Sequence, residues 1–119
     1  MAASHYKLDN LCAIVDRNRL QISGNTEDVM AHDDLCERFR SFGWHVIDVA
    51  DGNDIDELHA AFGGGQRPYE REPTVLIANT IKGKGSSVME NQVSWHHKVP
   101  NAKEYTQIME DFKRAKEAF

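Results

Sequence analysis

Three stretches of the chain carry residue types that could do chemistry. The first is Asp16-Arg17-Asn18-Arg19-Leu20-Gln21. A short amide side chain such as Asn18 presents an oxygen, and the residues after it can turn a backbone carbonyl toward the same point. Both are hard ligands suited to magnesium or calcium, cations that bridge a diphosphate. The plainer reading is that Asn and Asp at this place only form a turn. The second stretch is Thr80-Ile81-Lys82-Gly83-Lys84-Gly85-Ser86-Ser87. Glycines interleaved with lysines let the backbone approach an anion with positive charge nearby, although the spacing is not that of a Walker loop. Its alternative is a glycine-lysine turn with solvated charges. The third is Val93-Ser94-Trp95-His96-His97-Lys98-Val99-Pro100. An imidazole can donate to a phosphate oxygen or move a proton near neutral pH, and since neighbouring side chains point apart, one of the two histidines at most faces a site.

The remaining titratable groups form no comparable pattern. His5 and His59 fall on predicted helices, His32 near a helix start, and His45 at the opening of a strand. The acidic group Glu27, Asp28, Asp33 and Asp34 reads as a solvated helix entry that complements the helix dipole. Cys12 and Cys36 lie in apolar-patterned segments without a CxxC or metal-type spacing, which predicts reduced core residues.

The elements that must position these stretches can be read from the apolar pattern. Leu11–Val15, His45–Val49 and Thr74–Asn79 are short runs, near-continuously apolar, as expected for strands of a parallel sheet covered on both faces. Leu35, Phe39 and Phe42 repeat at helical spacing before Gly43. Ile55, Leu58 and Phe62 make a second stripe, with Asn53 as expected N-cap and Gly63-Gly64-Gly65 as its stop. In the last segment, 102–119, Tyr105, Ile108, Met109, Phe112 and Phe119 share a face, with Asn101 and Glu104 placed as a capping pair. Residues 2–9 read as a helix end running into the first strand. The order is strand, loop, helix, strand, helix, strand, long loop, helix, an α/β arrangement with at least three parallel strands flanked by helices. Such a sheet has two open edges, and no residues here are placed to protect them. The first and second chemical stretches directly follow strands, and the carboxyl ends of parallel strands are where open α/β sheets place ligands.

Composition narrows the function classes. The 119 residues fit one domain, and 40% hydrophobic with 28% charged residues describes an ordinary globular chain. A net charge of -5 argues against nucleic acid as partner. No run approaches the roughly 20 apolar residues of a membrane span, and the first residues lack the apolar core of a signal peptide, so a cytoplasmic protein is expected.

Taken together, the segments resemble transketolase. His5-Tyr6-Lys7-Leu8-Asp9-Asn10-Leu11 followed by Ala13-Ile14-Val15-Asp16 is similar to the helix and strand just past that family's Gly-Asp-Gly metal motif. Asp16-Arg17-Asn18-Arg19-Leu20-Gln21-Ile22 resembles its Asp-x-Asn-x-Leu-Gln-Ile, and Phe42-Gly43-Trp44 and Asp51-Gly52-Asn53-Asp54 resemble its Phe-Gly-Trp and Asp-Gly-His-Asp. Thr80-Ile81-Lys82-Gly83-Lys84-Gly85, Met89-Glu90-Asn91 and Trp95-His96 resemble its following loop. Ser23, Asn53 and His97 stand where Asp, His and Gly are common in the family. The likeness covers essentially the whole chain and is nearest to the bacterial form split into N-terminal and C-terminal subunits. It is also similar to 1-deoxyxylulose-5-phosphate synthase, whose motif typically runs Asn-x-Met-Ser-Ile where this chain has Asn18-Arg19-Leu20-Gln21-Ile22.

The resemblance implies a doubly wound thiamine-diphosphate-binding domain, with residues 1–119 forming its partial, diphosphate-side section and starting after the Gly-Asp-Gly motif. It makes Asn18 a side-chain ligand of a divalent metal (Mg2+ or Ca2+) and Leu20 a backbone-carbonyl ligand of the same ion. It gives His96 a reach to the cofactor diphosphate and the reacting carbonyl. The implied activity is transfer of a two-carbon ketol unit between sugar phosphates, as in the pentose phosphate pathway. Implied partners are a C-terminal subunit or half, and a second copy of the complete enzyme in a homodimer. The chain alone is expected to bind cofactor weakly or not at all and to be inactive. A non-catalytic α/β assembly piece is the reading from a different class.

Overall fold

The computed structural model describes residues 1–63 and 71–117. In chain order the elements are α1 (Ala2–His5), β1 (Cys12–Arg17), β2 (Leu20–Gln21), β3 (Gly24–Asn25), α2 (Thr26–Val29), α3 (Leu35–Ser41), β4 (His45–Val49), α4 (Ile55–Ala61), β5 (Thr74–Asn79) and α5 (Ala102–Glu117), with a 3₁₀ turn over Val93–His96. They form two compact units, one of Met1–Arg17 and His32–Thr80, the other of Asn18–Ala31 and Ile81–Phe119.

The first unit is built on a three-stranded sheet of order β1-β5-β4. Both pairings are parallel, as expected, with Cys12 opposite Thr74, Arg17 opposite Asn79, and His45 also opposite Thr74. The central place falls to β5, whose interior residues 75–78 are all apolar. Val75, Leu76, Ile77 and Ala78 are all 4% exposed or less, because strands on either side and helices packed on the sheet cover them. α3 lies against β4 and β5, and α4 against β4. A cavity of about 540 Å³ between α4 and the sheet is lined by Leu11, Cys12, Ile47, Leu76, Ala61 and Phe62. It also reaches His45 and Thr74, the first residues of β4 and β5. Burial pushes the His45 imidazole pKa down, tempered by the Glu72 carboxylate.

Four expectations need correction. β1 runs from Cys12 to Arg17 rather than 11–15, because the parallel ladder continues through Asp16 and Arg17, while Leu11 only lends its carbonyl to the Thr74 N–H at 3.0 Å. As an edge strand β1 alternates between exposed and half-buried residues, so it is not covered on both faces, and Ile14 is 56% exposed. Cys12 is on the exposed side and is not a core residue, whereas Cys36 is partly buried; both are free thiols. Burial is the leading cause that pushes the Cys36 thiol pKa up. The N-cap of α4 is Asp54, not Asn53: its Oδ1 accepts from the N–H groups of Asp56 and Glu57 at 2.8 and 3.0 Å. Ile55, the first residue after that cap, is turned out to solvent at 80% exposure. α3 ends as expected, with Gly43 at φ +76; Gly64, Gly65 and Phe119 lie outside the described residues.

In the second unit, β2 and β3 pair antiparallel around Ile22-Ser23, Leu20 opposite Asn25 and Gln21 opposite Gly24. This hairpin and α2 are additions to the predicted order. α5 starts on the expected reciprocal cap, Asn101 Oδ1 accepting from Glu104 N–H and Glu104 Oε2 from Asn101 N–H, both at 3.0 Å. Of its apolar face only Ile108 is buried; Tyr105, Met109 and Phe112 are exposed. Among the described residues no helix is long and apolar enough to cross a membrane.

Candidate functional site

Asn18 is the first residue after β1, and its side chain folds back on its own backbone: Oδ1 accepts the Leu20 N–H at 3.0 Å. This Asx-turn spans Arg19, which adopts φ +62, a left-handed conformation that a long side chain takes up at some cost. The Thr26 N–H donates to the Arg19 carbonyl at 2.9 Å, so the base of the β2–β3 hairpin holds the turn. Two residues expected to be ligands, Asn18 and Leu20, are thereby fixed within one turn. The amide oxygen uses one of its two lone pairs on Leu20 and keeps acceptor capacity in the other. Such a turn offers a hard divalent cation few oxygens of the six or more it takes. Among the described residues no group of three or more His, Cys, Asp or Glu side chains could complete it. The set fits a cation that takes its other ligands from diphosphate oxygens, water or further protein groups, which is how magnesium is commonly held.

β2 lies alongside the 3₁₀ turn of Val93–His96, so the structure places the Leu20 segment beside the segment that carries His96. Trp95 is anchored: its N–H donates to the Gln92 carbonyl at 3.2 Å, and Lys98 Nζ stands 4.5 Å from the ring centroid. Lys98 is itself paired with Glu104 at the start of α5. The rings of His96 and His97 meet edge to face with centroids 4.6 Å apart, and both residues are exposed. An exposed imidazole on a short anchored turn can reach a bound anion.

The glycine-lysine stretch behaves differently from an open anion cradle. The Lys84 N–H donates to the Ile81 carbonyl, Ser86 N–H to Gly83, and Asn91 N–H to Lys82, at 3.2, 3.2 and 3.0 Å. The Gly85 N–H is taken by Glu90 Oε1 at 2.8 Å. These are successive turns, in which the Lys84, Gly85 and Ser86 amides are taken within the loop. Ser87 extends the tie by giving both its N–H and its hydroxyl to Asp111 Oδ2 on α5, each at 2.7 Å.

Sequence reading did not find a set of side-chain bonds in the first unit, at the carboxyl ends of its three strands. There the Thr80 hydroxyl donates to the Asp16 carboxylate and Arg17 Nη1 to Asn79 Oδ1. Asp16, Arg17 and Thr80 stand in stretches the sequence marks for chemistry, and Asn79 closes a strand, but no sequence signal pairs them.

Comparison with known proteins adds a family to this geometry. The family described as "Transketolase, thiamine diphosphate binding domain" matches residues 1–118. An apulose-4-phosphate transketolase subunit of Phocaeicola vulgatus is 43% identical over 114 residues, which cover 93% of this chain and 39% of that protein. The transketolase of Homo sapiens is 44% identical over 96 residues, 81% of this chain and 15% of its own length. The crystal structure of transketolase from Campylobacter jejuni matches with a TM-score of 0.78 at 25% identity, over 92% of this chain and 17% of that one. The chain thus spans 39% or less of the length of these relatives.

Proposed function

This chain belongs to the transketolase family, and from that premise we propose that it forms the diphosphate side of a thiamine-diphosphate site in a complete transketolase. The observation that supports this reading is the single Asx-turn that fixes Asn18 and Leu20 beside the turn bearing His96. In the proposal the Asn18 amide oxygen and the Leu20 carbonyl hold a divalent metal, magnesium or calcium, against the diphosphate. His96 donates to a diphosphate oxygen and stands near the reacting carbonyl, where an imidazole can hold or move a proton. Thiamine diphosphate, when bound, supplies the electron sink for carbanion chemistry. The residues of this chain orient it and exclude water from one side.

The substrates proposed are sugar phosphates, between which the complete enzyme passes a two-carbon ketol unit in the cytoplasm, as in the pentose phosphate pathway. Leu20-Gln21-Ile22 after Asn18 favours this over the deoxyxylulose-phosphate synthase reading. The rest of the site is assigned to a C-terminal half or subunit, in a homodimer of the complete enzyme. The test is made on that complete enzyme. Asn18→Ala should weaken thiamine diphosphate binding at limiting magnesium by at least about tenfold, read by calorimetric titration. Unchanged cofactor affinity across a magnesium series would remove the metal role. Absence of ketol transfer by the wild-type complex, with cofactor bound, would favour a non-catalytic assembly piece.

A further inference from the structure

The last two residues of β1 are tied to the end of β5 on both faces of the sheet. On one face the Thr80 hydroxyl donates to Asp16 Oδ1. On the other, Arg17 Nη1 donates to Asn79 Oδ1 at 3.1 Å. Between them the Thr80 N–H donates to the Arg17 carbonyl at 3.3 Å. The residues that grip are themselves held. Asn79 Nδ2 donates to Asp48 Oδ1 at 2.8 Å and to the Val49 carbonyl at 2.9 Å, and its own carbonyl accepts the Gly52 N–H at 2.8 Å. Charge fixes the amide's orientation: its oxygen faces the guanidinium and its NH2 faces the carboxylate, and a flipped amide would oppose both. Gly52 closes against Thr80 from the β4 side, since a Cβ there would stand 2.8 Å from Thr80 Cγ2 and 2.9 Å from the Ala78 Cβ.

A parallel ladder holds its main chain without such side-chain links. Here they gather at the carboxyl end of β1, and the next residue in the chain is Asn18. We propose that Asn79 and Thr80 are positioning residues: they fix Asp16 and Arg17 so that the chain delivers Asn18 in the orientation its cation role requires. Their role rests on the proposed role of Asn18 as a metal ligand. A ligand on a backbone that is already ordered loses less conformational freedom on binding than one on a loose strand end. The clamp therefore acts on the affinity for the cation, and through it on cofactor binding.

The experiment uses the complete enzyme and reads the magnesium concentration at half-saturation of thiamine diphosphate binding, with the urea midpoint measured alongside. Thr80→Val keeps the shape and the methyl against Gly52 but removes the donor to Asp16; Asn79→Leu removes the grip on Arg17. Each should raise the magnesium requirement about tenfold, the scale of lost outer-shell partners, and saturating magnesium should restore cofactor affinity. Thr80→Ser, which keeps the hydroxyl, should return the requirement to within about twofold of wild type. A purely structural role would lower the urea midpoint and leave the magnesium requirement of the folded enzyme alone. Wild-type magnesium requirement in Thr80→Val and Asn79→Leu, with Asn18→Ala shifted, overturns the clamp and leaves the metal site standing. If Asn18→Ala shifts nothing either, the metal reading fails and the clamp with it.

Discussion

Gly83 turns the chain at φ +70, and a Cβ there would stand 2.5 Å from the Met89 Cβ and 2.9 Å from its backbone. Gly85 turns similarly at φ +90, but its Cβ would meet only the Phe112 ring, at an ordinary 3.7 Å. The left-handed backbone penalty is common to both positions, and only Gly83 adds overlap with backbone. Gly83→Ala should therefore cost about 1–3 kcal/mol more than Gly85→Ala, measured as the difference in urea unfolding free energy; equal costs would mean that the close approach at Gly83 does not exist. The glycines of this stretch were visible in the sequence, but what they are for was not. Asn18 could be marked as a turn former or oxygen ligand from residue type and place, since an Asx-turn is a local event within three residues. Leu20 was singled out only through the family resemblance. The grip of Asn79 and Thr80 could not be marked, because its partners lie 62 and 64 residues away along the chain, and a sequence displays neighbours in order, not across a sheet. Cys12 misled for a related reason: an apolar neighbourhood marks a strand, and only the sheet order decides which of its faces is covered.

Helices were legible where their ends carry their own chemistry. The Asn101–Glu104 cap fixes the start of α5 at the expected place, whereas at α4 two adjacent cap-type residues, Asn53 and Asp54, compete and the one whose carboxylate takes two amides prevails. The β2–β3 hairpin, two residues a side, is too short to leave a periodicity. Within the second unit α5 is tied to the glycine-lysine loop by Asp111. Hydrogen bonds from the Ser87 hydroxyl, first, and the Ser87 N–H hold its carboxyl below the usual carboxylate range, against an opposing effect of burial. Lys98 and the Asn101 N–H do the same for Glu104. The sign follows from the extra proton the unfolded chain binds: both contributions are complete above the unfolded carboxylate range, about pH 4, and fade as pH falls through the lower folded values. Asp111→Asn keeps the size and an acceptor but removes the titration. Acid unfolding followed by circular dichroism should show a shallower loss of stability below about pH 4 in this variant, and an unchanged slope would show that Asp111 is not part of the acid response.

For the molecule as a whole, the class of fold was readable because strand runs and helical stripes alternate, whereas the central place of β5 was not, since all three runs read alike as near-continuously apolar. Which strand would be left at the edge was not readable, and the consequence is an apolar surface. On β1, Ile14 and Cys12 are exposed to solvent, and Cys12 also borders the cavity under α4. Exposed apolar area on an edge strand favours association, so the chain by itself should self-associate with rising concentration in sedimentation experiments, and Ile14→Lys should reduce that tendency. In the proposed complete enzyme the same face should be covered. The two thiols provide an internal comparison. Cys12 is exposed, so a soluble thiol reagent should label it quickly in the isolated chain and at least about tenfold more slowly after assembly, in proportion to how seldom the cover opens. Cys36 is partly buried and has its pKa pushed up by that burial. It carries less thiolate and should react slowly in both states. Equal labelling of Cys12 before and after assembly would mean that the β1 face stays open to water in the complete enzyme, and that the apolar side chains on it serve some contact other than the one that completes the site.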